Sequence, residues 1–128
     1  QELNIDAYFT PRETLEMQAG LFGVPSSERR TDEILEAVGL TEQAHSYARR
    51  LSGGMRRRLL VAKAMVHNPP ILVLDEPTSA CDAATTALIE ASLLAFPGAL
   101  VVVTHSQEQA KRLGSVHLHL SAVDGGEA

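Results

Sequence analysis

Asp75 and Glu76 stand side by side after a short apolar run, 71–74, and His105 follows a second such run, 100–103. Adjacent residues at a strand end point different ways, so Asp75 can hold a hydrated magnesium ion while Glu76 faces a water. Taken alone, the two acids also read as solvated turn residues, and a single histidine after a strand is commonly structural. A second cluster is Leu51-Ser52-Gly53-Gly54-Met55. Ser52 is suited to cap a following helix, and the two glycines let its first amides approach an anion, helped by the positive end of the helix dipole. Ser-Gly-Gly is also an ordinary loop. Arg56, Arg57 and Arg58 add positive charge, yet successive helical positions splay over different faces and cannot all meet one phosphate. Lysine occurs only at Lys63 and Lys111, and neither follows a glycine. The glycine-rich phosphate loop that ends in Gly-Lys is therefore not within these 128 residues.

Both clusters need elements to position them. Thr10, Pro11 and Glu13 form a helix-start signature, and Leu15, Ala19 and Phe22 follow at helical spacing, predicting a helix over 11–22. Gly23 and Pro25 end it, Ser26 or Ser27 can cap the next, and Ile34, Leu35 and Val38 give that one its stripe before Gly39. Thr41 is expected to start a short third helix. A fourth begins at Ser52, with Met55, Leu59, Ala62 and Val66 on one face, and Pro69 terminates it. The runs 71–74 and 100–103 read as strands buried on both faces, and the helix-forming stretch 83–95 between them implies a parallel crossover. Parallel strands point their carboxyl ends to one edge, the ligand-binding edge of open α/β sheets, so Asp75, Glu76 and His105 converge there. Gln107 to Leu113 reads as a further helix. Val116, Leu118 and Leu120 alternate with His117 and His119 as in a half-buried strand, whose histidine face is solvated rather than metal-binding without a third ligand. The change of character at Pro69-Pro70 divides the chain into a helical part, 1–68, and a strand-rich part, 69–128.

Composition narrows the classes. At 45% hydrophobic and 21% charged residues, this is a globular chain, and 11 basic against 16 acidic residues give 11 − 16 = −5. That balance argues against charge-driven nucleic-acid binding, although Arg49, Arg50 and the three arginines from 56 make a local basic patch. The lone Cys81 cannot form an internal disulfide, which favours a reducing, cytosolic setting. No apolar run approaches the ~18 residues of a membrane span, and no leader pattern opens the chain.

Together these motifs resemble the nucleotide-binding domain of ABC-type ATPases, over residues 1–120. Leu51-Ser52-Gly53-Gly54-Met55 is similar to the family's signature loop, Ile71-Leu72-Val73-Leu74-Asp75-Glu76-Pro77 to its Walker B strand, Ser79-Ala80-Cys81-Asp82 to its D-loop, and Val103-Thr104-His105 to its switch histidine. Gln1 falls where the Q-loop glutamine stands. The resemblance implies a partial P-loop NTPase fold of the α/β class: a mainly parallel sheet flanked by helices, preceded by an ABC-type helical subdomain. It implies ATP and Mg2+ as ligands. Asp75 would act through the magnesium shell, Glu76 as general base, and His105 on the γ-phosphate. Ser52, Gly53 and Gly54 would close over ATP held by a second nucleotide-binding domain, paired head to tail. Asp82 would lie at that dimer interface, and Gln1 would sense γ-phosphate and metal while linking to a transmembrane permease subunit. Such a subunit is cytoplasmic and peripheral to the inner face of the cell membrane, and no nucleic acid partner is expected.

The departures are Met55, where glutamine is commonest in the signature loop, and Cys81, where an apolar residue is usual and where packing is the simpler role. The phosphate loop, its preceding strand and the adenine-stacking element are missing from the 128 residues, so the isolated chain is expected not to hydrolyse ATP. Residues 1–77 resemble exporter subunits, and 78–121 resemble those of shorter transport ATPases. The leading expectation is part of an ATP-binding subunit driving export. Two alternatives are a translation or DNA-repair ABC ATPase, disfavoured by Ala80-Cys81 and by the absence of a coiled-coil insertion, and a non-enzymatic docking or regulatory module.

Overall fold

The computed structural model describes residues 5–119. Helix α1, Pro11–Leu21, starts as the capping pattern dictates: Thr10 Oγ1 accepts from the Glu13 amide at 3.2 Å, and the Glu13 carboxylate accepts from the Thr10 amide at 2.9 Å. It ends at Phe22, followed by Gly23 at φ +76°. Phe22 is not buried with Leu15 and Ala19 but lies outside, stacked on His67 with centroids 3.8 Å apart.

Helix α2, Thr31–Ala37, starts later than the serines suggested and has no side-chain cap. Ser26–Glu28 forms only a 3₁₀ turn, and Arg29 runs extended. Its guanidinium donates to the Val24 carbonyl and, at 2.8 Å, to Glu16 of α1, which pins the chain across α1 before a second helix can begin. The helix expected from Thr41 is also absent. That segment makes only short-range turn bonds, while Ala44 O accepts from Arg12 N at 3.2 Å and the Ala48 amide donates to Phe9 O at 2.8 Å. Its backbone is committed to the entry of α1, and a 3₁₀ turn at Ala48–Arg50 follows.

Helix α3, Gly53–Met65, is capped by Ser52, whose Oγ accepts from the Met55 amide at 3.2 Å. It leads to strand β1, Ile71–Asp75, then α4, Ala83–Leu94, strand β2, Ala99–Val103, and α5, Gln107–Leu113. β1 and β2 pair in parallel, Ile71 opposite Ala99 and Asp75 opposite Val103. One cluster of buried side chains, including Leu15, Leu35, Leu59, Leu72, Ile89 and Leu93, runs through both sides of Pro69-Pro70.

The sheet corrects one expectation. Leu72 is buried, with Leu74 and Leu100 packed against the core, but Ile71 and Val73 are 59% and 64% exposed and Val101 and Val103 each 48%. Among the described residues the helices therefore cover one face of the two strands. A second correction concerns 114–119, which form no strand. Val116 and Leu118 are exposed, and the His117 ring instead turns back to the Ala110 carbonyl of α5 at 2.8 Å. Leu120 lies outside the described residues, as does Gln1.

Candidate functional site

The parallel pairing brings the ends of β1 and β2 to one level, and the residues just beyond them meet. The Glu76 amide donates to Val103 O at 2.8 Å, and Glu76 Oε1 accepts from the His105 amide at 2.6 Å. The imidazole stands farther off: His105 Nε2 is 3.8 Å from the same oxygen, and the side chain is 98% exposed. The backbone amide, not the ring, thus orients the carboxylate, and the ring faces solvent. Glu76 Oε2 has no protein partner among the described residues. Glu76 also has φ +45°, a left-handed conformation that costs a non-glycine residue about 1–2 kcal/mol.

Asp75 is exposed, and its side chain makes no hydrogen bond or ion pair among the described residues. Both its oxygens are free for a metal's water shell. No group of three or more His, Cys, Asp and Glu is arranged to hold a metal among the described residues. A magnesium ion there would need waters and phosphate oxygens for most of its coordination, which is its usual habit.

The second set lies at the start of α3. A cleft of about 400 Å³ is lined by Gly53, Gly54, Arg57 and residues 79–82. The two glycines differ in kind. A Cβ at Gly53 would meet nothing within 4 Å, and Gly53 is exposed with no acceptor for its amide among the described residues, which leaves that amide open to an incoming anion. A Cβ at Gly54 would fall 2.7 Å from Thr85 Oγ1, so Gly54 is there for the approach of α4. Asp82 caps α4: Thr85 N donates to Asp82 Oδ1 at 2.7 Å, and these Thr85 hydrogen bonds hold the carboxyl below its usual range. Cys81 is half-buried, and burial pushes its thiol up, as suits a packing residue.

The three arginines do splay apart. Arg56 donates to the Arg49 carbonyl, Arg57 to the carbonyls of Glu76 and Pro77, and Arg58 Nη1 to those of Val38 and Gly39 at 2.7 and 2.8 Å. Arg57 therefore joins the two clusters by gripping the backbone that follows Glu76. A further group escapes sequence reading: Gln109 Nε2 of α5 bonds the Thr78 hydroxyl and, at 3.2 Å, Glu90 of α4, which Arg112 holds at 2.8 and 2.9 Å. Gln109 sits on the charged α5 and Glu90 is the one charge of α4, so both read as solvated, and only their burial distinguishes them.

A family model described as ABC transporter matches residues 1–79, more than half of the chain. The chain belongs to the ABC transporter family. Within it, the chain is 39% identical over 128 residues to Nod factor export ATP-binding protein I of Cupriavidus pinatubonensis (strain JMP 134 / LMG 1197), covering 96% of this chain and 38% of that protein. The Burkholderia thailandensis (strain ATCC 700388 / DSM 13276 / CCUG 48851 / CIP 106301 / E264) protein of the same name is 41% identical over 115 residues, covering 86% and 38%. The chain thus spans less than two-fifths of these ABC relatives, and the likeness continues on both sides of Pro77. A solved structure, "Structure of ATP binding subunit of ABC transporter", superposes with a TM-score of 0.73 at 24% identity, covering 85% of this chain and 48% of that one. That likeness supports the fold: an α/β chain with a small parallel sheet, consistent with part of the P-loop NTPase architecture. No helix among the described residues is long and apolar enough to cross a membrane.

Proposed function

We propose that this chain carries the water-activating edge and the closing surface of an exporter-type ABC ATPase subunit. The observation that carries the reading is the interlocking of the two strand ends, where Glu76 Oε1 accepts the His105 amide at 2.6 Å while Oε2 stays free. One oxygen fixes the carboxylate and leaves the other able to take a water, the arrangement a general base needs. Asp75, with both oxygens free beside it, would hold the water shell of a magnesium ion. When bound, that ion neutralises charge on the β- and γ-phosphates. The exposed His105 ring would contact the γ-phosphate.

The open amide of Gly53, with Ser52 and Gly54 at the start of α3, would close over ATP held by a second nucleotide-binding domain. Asp82 would hold 79–82 against that partner. The proposed assembly has two such domains head to tail and a transmembrane permease subunit, which would keep this chain on the cytoplasmic face of the cell membrane. Gln1, outside the described residues, remains the proposed γ-phosphate and metal sensor. The two subdomains at 1–68 and 69–128 would divide closing surface from water activation.

The 128 residues contain no Gly-Lys pair, so the test joins the chain behind a phosphate-loop-bearing half of an ABC domain. The fusion is expected to hydrolyse ATP, and Glu76→Gln to lower turnover on the order of a hundredfold or more, with nucleotide-dependent pairing lost in Ser52→Arg. Turnover indifferent to Glu76→Gln, or turnover by the 128-residue chain alone, overturns the reading.

A further inference from the structure

Glu76 holds its left-handed backbone at φ +45°, a state that persists in a non-glycine residue only where the surroundings over-determine it. Its own contacts to β2, through the Val103 carbonyl and the His105 amide, anchor one side of the turn. The turn closes on itself where the Ser79 amide donates to the Glu76 carbonyl at 3.1 Å, and two other elements hold it from outside. From α3, Arg57 donates Nε to Pro77 O at 2.8 Å and Nη2 to Glu76 O, so one planar fork fixes two successive carbonyls. From α5, Gln109 reaches the Thr78 hydroxyl. Gln109 is 2% exposed and is itself held by Glu90, which Arg112 clamps with two bonds. A side chain so enclosed has little freedom to release Thr78.

We propose that Arg57 and Gln109 are positioning residues that clamp the 76–78 turn from opposite helices and thereby aim the Glu76 carboxylate at the end of β2. Neither needs to touch nucleotide. The inference rests on the reading of Glu76 as the base. It also gives α3 two duties: its first turn carries the proposed closing surface, and one turn further along Arg57 holds the catalytic loop of the same chain. Seating of a partner's nucleotide on Gly53 would then bear on Glu76 through one rigid helix.

The test has two arms. In the 128-residue chain, NMR reads the Glu76 Cα and Cβ shifts that report a positive φ, and the exchange of the His105 amide. Arg57→Met and Gln109→Leu should each erase the left-handed signature and speed His105 exchange on the order of tenfold, while Leu59 and Leu93 amides stay protected. Arg56→Met, which loses only the bond to the Arg49 carbonyl, should leave the signature in place. In the phosphate-loop fusion, Arg57→Met and Gln109→Leu should lower kcat on the order of tenfold to a hundredfold with KM unchanged, and Arg57→Lys should recover part of the loss. A left-handed signature that survives in either Arg57→Met or Gln109→Leu overturns the proposal, as does its loss in Arg56→Met. If Glu76→Gln leaves fusion turnover intact, the assignment of Glu76 as base falls, whereas the NMR arm still decides whether Arg57 and Gln109 hold the turn.

Discussion

Gly53→Ala and Gly54→Ala, made separately, should move stability in opposite directions although the two residues are neighbours in the first turn of α3. Alanine is the better helix former by up to about 1 kcal/mol, and neither position has the positive φ that would penalise it. At Gly53 the new methyl meets no atom within 4 Å, so that gain stands. At Gly54 it would lie 2.7 Å from Thr85 Oγ1. Thr85 is buried and its amide is tied to Asp82, so α3 and α4 must separate, an overpacking cost of about 1–3 kcal/mol. The two variants should therefore differ by about 1–3 kcal/mol, or roughly 1 M in urea midpoint for a slope of about 1–2 kcal/mol/M. In a Thr85→Ala background the clash is gone, and Gly54→Ala should turn neutral or stabilising, a coupling that a double-mutant cycle reads directly. The Gly53→Ala methyl projects where an anion would approach, so it should weaken nucleotide-dependent pairing while raising the midpoint. Equal midpoints for the two single variants, or a Gly54→Ala penalty that survives Thr85→Ala, would refute the reasoning.

Three further outcomes follow from contacts already described. Glu76→Gly and Glu76→Ala both lose the bond to the His105 amide, but glycine accepts φ +45° without strain, so thermal melts should place Glu76→Gly about 1 kcal/mol above Glu76→Ala; identical melts would contradict the strained turn. Arg58→Met leaves the Val38 and Gly39 carbonyls without their donor and should cost about 2–4 kcal/mol in urea unfolding. Gly39→Ala, at φ +65° with its Cβ 2.9 Å from Arg58 Nη1, should be less than additive with it. Arg112 hydrogen bonding, with help from Gln109, holds the Glu90 carboxyl below its usual range against the opposing effect of burial. The unfolded chain then takes up the proton first, so this contribution is complete above about pH 5 and is lost on further acidification. Arg112→Met should flatten the fall of urea midpoint between about pH 5 and pH 3, and parallel slopes would disprove it.

What could be read from the sequence was local chemistry. Thr10 and Ser52 announce helices α1 and α3 because each cap is closed by residues three positions away. The meeting of Glu76 with the His105 backbone was legible because a strand-helix-strand order leaves few geometries for the ends of two parallel strands. What escaped depends on partners distant along the chain. Arg29 delays α2 through Glu16, and Gly54 answers to Thr85. Arg57 and Arg58 are neighbours, yet a rotation of roughly 100° per helical residue sends one to the Glu76 loop and the other to the end of α2. The outer sheet face misled for another reason. A continuous apolar run states that a strand can be buried on both sides, not that the described residues supply both covers.

The shared register of β1 and β2 makes the site intolerant of length change. Both strands run five residues and stop at the same level, and Glu76 and His105 follow after one and two more. An insertion or deletion within 71–76 or 99–105 would swing one partner to the other side of the pleat, since side chains alternate with every residue, and would separate carboxylate from amide without removing either. Around Ser26 and Ser27, which are exposed and outside any α-helix or strand, an added residue meets no such pleat register. Scanning single-residue insertions should therefore divide the chain into a stretch that counts residues and one that does not.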